Sequence, residues 1–324
     1  MRILVIQLRQ LGDILLTTPC IREIRKHYGK DAHISFLSHR MGKLVLEGNP
    51  DLNEFYYYDE TEGWSAALKL AKILRQKKFD LAFDFMNNPR SAIFALGCRA
   101  KQRFAFHSVR RFAYTNTIPR HAGSDYIVRE KFRLLAAAGI PTGDVSLVLP
   151  LQEYHTAVAH RFFATQPVFK SATLKVIISP THRRIDRQWP LIRYAELSDR
   201  LVREWGAAVT WLWGPGEEEF VKSGLYLTSE PALLAPKTSF REMAALVQLH
   251  DLFIGNSNGP SHVAVAVDTC SLQLHGPTPS KSWCPLTERH RAIQSKESIG
   301  AASMAAIATA DVWNELQAMR PGLR

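Results

Sequence analysis

Two side chains in this 324-residue sequence sit where their type suggests chemistry: Asp13 in "LRQLGDILLTTP" and Arg187 in "RRIDRQWP". A carboxylate can take a proton from an attacking hydroxyl, and a guanidinium can hold phosphate bidentately. Asp13 follows the aliphatic run "MRILVIQL", which suits a parallel strand buried on both faces. It precedes Ile14, Leu15, Thr18, Ile21 and Ile24 at helical spacing, a helix ending near Gly29. Residues 9–13 therefore read as a βα turn, and such turns border the crevice where open α/β sheets bind ligands. Gly12 lets the backbone approach a ligand, and Asp13 presents its carboxylate at the mouth of that crevice. Asp is also a favoured helix N-cap, and on the turn alone capping is the stronger reading. There is no G-x-G-x-x-G, so nothing points to NAD or FAD.

Three more turns carry polar groups after strands. In "SPTHRRIDRQWP", Thr181 follows the strand and Arg183, Arg184 and Arg187 precede Trp189-Pro190; they suit a phosphate clamp or a solvated basic loop. In "WGPGEEEF", Gly214 and Gly216 make the turn, and Glu217, Glu218 and Glu219 open a helix, available to ribose hydroxyls or simply favoured by the helix dipole. In "GNSNGPSHVAVA", small residues lead into a helix with Pro260, so that free N–H groups form an anion site; His262, one turn in, either donates to a phosphate or packs. Together these turns describe a pocket for a nucleotide diphosphate.

The elements that must position them alternate. "HISFLSH", "AALKLAKILRQKK", "DLAFDFM" and "YIVREKFRLLAAAGI" read as strand, helix, strand and helix, and after residue 172 the pattern restarts with "LKVIISP", "LIRYAELSDRLVREWG", "AVTWLWG", "SFREMAALVQLH", "DLFIGN" and "CSLQLHG". The expected organisation is two similar α/β halves, 1–165 and 166–324, with a crevice between them and a final helix near 303–320 free to pack on either half. The cysteines Cys20, Cys98, Cys270 and Cys284 lack C-x-x-C spacing, so neither a zinc site nor a disulfide framework is expected. No stretch approaches the roughly 18–20 apolar residues of a membrane span, and the expected location is the cytoplasm. The formal charge of +11 points to a polyanionic partner, with basic clusters at "RQKK", "RAKQR" and "VRRF". No nucleic-acid motif accompanies them; an anionic membrane surface fits better, beside the plain alternative of a soluble basic surface.

With "MRILVIQLRQLGDILLTTP", "FDLAFDF", "YIVREKFRLLAAAGI", "RQWP", "WGPGEEE" and "FIGNSNGPSHVAVAV...LHGPTPSKSWCP" in this order, the chain resembles glycosyltransferase family 9, the heptosyltransferases of the lipopolysaccharide core, over nearly its whole length. Among these it looks most like the enzymes that add a later core heptose. The resemblance implies a GT-B fold, with the acceptor on the N-terminal domain and ADP-heptose on the C-terminal one, and inverting transfer without a metal or other cofactor. It makes Asp13 the general base. It assigns Arg187, where Lys is usual, and Thr181 to the donor phosphates, Glu217 or Glu218 to the nucleoside, and Gly259, Pro260, Ser261 and His262 to the phosphate-binding helix start. On the acceptor side the candidates are Arg9, Gly12, Arg103, Arg110 and Arg111. The implied partners are the nucleotide-sugar, an anionic lipid A-core acceptor and the cytoplasmic face of the inner membrane, to which the protein would bind peripherally; nucleic acid is not among them. One departure concerns the sugar: the family has Asp-Ser or Asp-Thr where this chain reads Ser257-Asn258. Two rival readings are a non-catalytic member that binds nucleotide-sugar or lipid, and a transferase with another donor sugar.

Overall fold

A computed structural model describes residues 1–121, 123, 125–297 and 302–322. The chain divides into two compact units, Met1–Pro150 and Leu151–Arg324. In the first, β1 (Arg2–Ile6), β2 (His33–His39), β3 (Glu54–Tyr58), β4 (Leu81–Asp84), β5 (Gln102–Phe106) and β6 (Asn116–Ile118) form one sheet in the order β3-β2-β1-β4-β5-β6. In the second, β7 (Leu174–Ser179), β8 (Ala207–Trp211), β9 (Ala232–Leu234), β10 (Leu252–Asn256), β11 (Cys270–His275) and β12 (His290–Gln294) run β12-β11-β10-β7-β8-β9. Every pairing is parallel. Each sheet reverses its order beside its first strand, the point at which Rossmann-type sheets bind ligands. Both units thus have the Rossmann-like architecture expected of a GT-B protein.

The central strands are aliphatic because helices cover both of their faces: Ile3 to Ile6 and Val176 to Ile178 are fully buried. The expected single helix after β1 is two, Leu11–Leu15 and Thr18–Tyr28. Pro19 explains the break, since a proline lacks the N–H that would bond the carbonyl of Leu15 and its ring would clash with that carbonyl. Consequently Asp13 lies in the third helical position, within the helix that the spacing placed after it.

The division falls after Pro150, earlier than the expected 165. The helix Glu153–Thr165 opens the second unit, with Ala159 and Phe162 packed against Leu246, Val247 and Phe253. Its weak amphipathic pattern could not say which sheet it would cover. The helix Thr309–Met319 also packs in the second unit, where Trp313 meets Trp205 at 5.2 Å between ring centroids in the core that holds Trp189, Tyr194 and Trp211. All four cysteines are buried and unpaired. Among the described residues no helix is long and apolar enough to cross a membrane.

Candidate functional site

In the first unit the site is built on the turn after β1. Asp13 is half-buried, and its Oδ2 accepts from the Gln10 backbone N–H at 3.3 Å, the reciprocal half of a capping box. The cap and the chemical role therefore coexist, because this contact uses one carboxylate oxygen; among the described residues Oδ1 accepts no hydrogen bond. The main chain of Asp13 is held from below. Its carbonyl accepts from Thr17 Oγ1 at 2.7 Å and from Lys131 Nζ at 3.0 Å. Lys131 also donates to Thr17 Oγ1 at 2.5 Å and to Gln7 Oε1 at 3.2 Å.

This lysine, 118 residues along the chain from Asp13, is buried, and loss of hydration pulls its ammonium down to about 8, against the opposing attraction of Asp13. Sequence reasoning missed it. In "YIVREKFRLLAAAGI" it looks like one charge of an amphipathic helix, and the only signal was its place among the apolar positions of Ile127–Ala137.

Arg9 is exposed and lines a shallow depression with Leu8, His39, Tyr58, Asn88 and Arg90, residues that follow or end β1 to β4. Arg90 stands over the Tyr58 ring at 5.9 Å. It was also missed, although Asn88-Pro89 with Ser91 is a local helix-start signature and forms a capping box. Gly12 lies in the first turn of the Leu11–Leu15 helix.

The basic candidates between 99 and 111 part company. Arg103 donates to the carbonyls of Ala113 and Ala100 at 2.8 and 2.7 Å, and Arg110 to that of Asn87 at 2.7 Å. These two brace loops around β5, whereas Arg111 is exposed. Asp84, at the end of β4, is fully buried and receives N–H bonds from Met86 and Asn87 and the hydroxyl of Tyr114 at 2.6 Å; burial raises its carboxyl above the usual range.

In the second unit the turns after β7, β8 and β10 are joined directly. Thr181 Oγ1 donates to Glu217 Oε2 at 2.8 Å, and the same oxygen accepts from Gly214 N at 2.9 Å. A Cβ at Gly214 would lie 2.9 Å from that oxygen, so a larger residue there would push the Glu217 carboxylate away from Thr181. Gly216, at φ +82°, occupies the left-handed region that turns the chain into the helix. Glu218 does not join Glu217. It pairs with Lys222 at 2.9 Å, as does Glu219, in the ordinary manner of a helix start.

Asn256, buried at the end of β10, spends both ends of its amide. Its Oδ1 accepts from Trp189 N at 3.0 Å and Tyr194 OH at 3.1 Å, and its Nδ2 donates to the carbonyls of Pro180 and Thr181. Asn258 is the N-cap of Gly259–Ala266. Its Oδ1 accepts from Ser261 N at 3.1 Å and its Nδ2 reaches the Thr181 carbonyl at 2.9 Å. The expected run of free N–H groups is thereby reduced, because Pro260 has none and Ser261 gives its own to Asn258. Among the described residues the Gly259 N–H remains without an acceptor.

His182, also unforeseen, ties this helix start to the arginine loop. Its Nδ1 accepts from Arg184 N at 2.9 Å and its Nε2 lies 3.1 Å from the Ser257 carbonyl; this is a neutral tautomer, consistent with burial lowering its pKa. Arg184 is occupied by Asp186 through two contacts of 3.0 and 2.8 Å. Arg187 forms no ion pair among the described residues, its Nε is buried without a partner, and burial with the neighbouring Arg184 lowers its pKa. An anion beside it would relieve both penalties. His262 is buried with its ring 6.0 Å from Trp283.

The arrangement in the second unit therefore offers a guanidinium, a hydroxyl, a carboxylate and a helix start beyond adjacent strands, which suits a phosphate-bearing nucleoside. Comparison with known proteins identifies the family and the fold. The model of glycosyltransferase family 9 (heptosyltransferase) matches residues 67–305. The chain is 28% identical to lipopolysaccharide heptosyltransferase 3 of Escherichia coli over 291 residues, 85% of this chain and 83% of that one. Among solved structures, the family 9 glycosyl transferase of Veillonella parvula superposes with a TM-score of 0.86 at 21% identity, covering 98% of this chain and 96% of the other. The E. coli ADP-heptose LPS heptosyltransferase II gives 0.81 at 20% identity, covering 98% of each. At these identities the two structures speak for the fold.

Proposed function

Since this chain belongs to glycosyltransferase family 9, the heptosyltransferases, we propose that it transfers a heptose from ADP-heptose to the inner core of lipopolysaccharide, with inversion, without a metal, and with Asp13 as general base. The names of its relatives support the substrate classes: an E. coli homologue is a lipopolysaccharide heptosyltransferase, and a structural neighbour is an ADP-heptose LPS heptosyltransferase. The acceptor hydroxyl attacks the anomeric carbon, its proton passes to Asp13, and the bond from that carbon to the diphosphate oxygen breaks with the electron pair leaving on ADP. Attack and departure on opposite faces invert the centre. Arg187 and the Gly259 N–H meet the charge that grows on the leaving diphosphate, with Thr181 beside them and Glu217 toward the nucleoside. The acceptor, a phosphorylated lipid-linked oligosaccharide, belongs to the first unit, where Arg9 and Arg90 line the depression beside the Asp13 turn. The protein works in the cytoplasm, peripherally on the inner membrane.

The observation that carries this reading is Asp13 itself: a carboxylate with one oxygen uncommitted, on a residue whose backbone carbonyl is held by both Thr17 and Lys131. Purified protein incubated with ADP-heptose and truncated core lipid should add one heptose by mass. Asp13→Asn should bind ADP as the parent does while kcat falls by about 10² to 10⁴, the usual worth of a general base. Near-parental turnover in that variant would return Asp13 to the role of cap alone, and no turnover in the parent would favour a binding protein. Ser257 favours one second reading, because without a carboxylate at this position the sugar is recognised differently. A panel of ADP-sugars decides between heptose and another donor.

A further inference from the structure

One face of the first sheet is covered by three segments far apart in the chain: the helix Gly63–Gln76, the helix Pro89–Gly97 and the turn Arg111–Ala113. They share one core, in which Ala67, Ala71, Leu74, Phe94, Cys98 and Tyr114 pack on side chains of β1, β4 and β5. Their outward side is apolar to an unusual degree. Trp64 is 62% exposed and Leu68, one helical turn on, 64%; Leu96 is 45% exposed, Val109 87% and Phe112 72%.

The charge within these segments has one sign, although Glu62, exposed and facing Arg40 at 3.9 Å, precedes Trp64 by two positions. Stretches 63–79 and 85–124 contain twelve Lys and Arg and no Asp or Glu. Some of these cations are committed within the fold: Lys77 to Glu54, Lys101 to Asp80, and Arg103 and Arg110 to backbone carbonyls. Lys69, Lys72, Arg75, Arg99 and Arg111 make no ion pair among the described residues and are exposed. Cations alone would suit any polyanion. Leucine and valine offer nothing to phosphates or bases, but they gain by entering the acyl boundary of a bilayer, and tryptophan favours the headgroup level.

We propose that this face seats the protein on an anionic phospholipid bilayer, with Trp64, Leu68 and Phe112 entering the interface and the free cations on lipid phosphates. The proposal rests on the reading that the acceptor is lipid-borne, and it goes further by naming the surface. Each cation close to an anionic membrane strengthens binding about fivefold, so several acting together with inserted side chains retain the protein at physiological salt.

The test uses the intact protein and vesicles of phosphatidylglycerol with phosphatidylethanolamine, against phosphatidylcholine alone. Trp64 is a built-in probe. Of the seven tryptophans, Trp189, Trp205, Trp211 and Trp313 are buried and Trp213 and Trp283 half-buried, leaving Trp64 as the exposed one. Anionic vesicles carrying brominated acyl chains should quench its fluorescence, phosphatidylcholine vesicles should not, and Trp64→Phe should abolish the quenching. A double variant, Leu68→Glu with Phe112→Glu, should lower sedimentation with anionic vesicles by about tenfold or more. Its melting temperature and its turnover of a delipidated, water-soluble core acceptor should match the parent's. If the parent sediments with anionic vesicles while Trp64 stays unquenched and the double variant sediments equally, this face is wrong and the lipid reading stands. If the parent binds no vesicle, both fall, and equal binding to phosphatidylcholine removes the role of the cations.

Discussion

Replacing Lys131 by Met separates what this buried cation costs the fold from what it does for Asp13. Its ammonium is enclosed among Gln7, Thr17 and the Asp13 carbonyl, and desolvation brings it down to about 8 from an ordinary 10.5, with Arg120 opposing its charge and Asp13 and Cys20 favouring it. That difference corresponds to about 3 kcal/mol of stability lost while the lysine is charged. The sign follows from proton counts: between pH 8 and 10.5 the unfolded chain keeps the proton that the native lysine has released, so native stability rises with pH across that window. Below about pH 8 the full cost is present. The Met variant lacks this term but also leaves the buried Gln7 Oε1 and Thr17 Oγ1 without a donor, roughly 1–3 kcal/mol each. At pH 7 the two contributions therefore offset in part, and the variant should fall behind by about 3 kcal/mol more as the pH approaches 10.5. Urea unfolding of both proteins at several pH values measures this, and taking their difference cancels the other titrating groups. In turnover assays the variant should lose about 10- to 100-fold in kcat, the scale of a misplaced catalytic group, with ADP affinity unchanged. A parent-to-variant difference that does not change with pH would refute the buried charged lysine, and unchanged kcat would refute its hold on Asp13.

Arg187→Ala should weaken ADP binding about 10- to 100-fold by calorimetry, because a charge-assisted contact to phosphate is lost; unchanged affinity excludes it from the phosphate site. Asn256→Ala should destabilise the second unit by roughly 2–4 kcal/mol in denaturant unfolding, since the Trp189 N–H, the Tyr194 hydroxyl and the Pro180 carbonyl lose buried partners. Treatment with EDTA should leave transfer unaffected, and activity that disappears with the chelator and returns with Mg²⁺ would overturn the metal-free mechanism.

Much of this protein is written locally. The aliphatic runs of β1, β7 and β10 need no context to be read as buried parallel strands, and Gly214 and Gly216 mark the turn after β8, and Asn258 and Pro260 the turn after β10, because such turn and cap chemistry is satisfied within a few residues. Pro19, equally local, breaks the first helix, which the apolar periodicity running through it does not record. Asp13, Thr181 and Glu217 were therefore visible as residues at strand ends, and the order of the motifs identified the family. Tertiary structure decided which of several similar side chains are available. Glu217 turns back to Thr181 while Glu218 and Glu219 hold Lys222; Arg184 is neutralised by Asp186 while Arg187 is left with a buried, unpartnered Nε; Arg103 and Arg110 brace loops while Arg111 faces water. The same holds for Lys131 beneath Asp13 and for the three segments that bring Trp64, Leu96 and Phe112 to one face. A charge's meaning depends on its partner and its hydration, and for Arg110 with Asn87, Thr181 with Glu217 and Lys131 with Asp13 these are set by contacts 23, 36 and 118 positions apart along the chain, which no local spacing records.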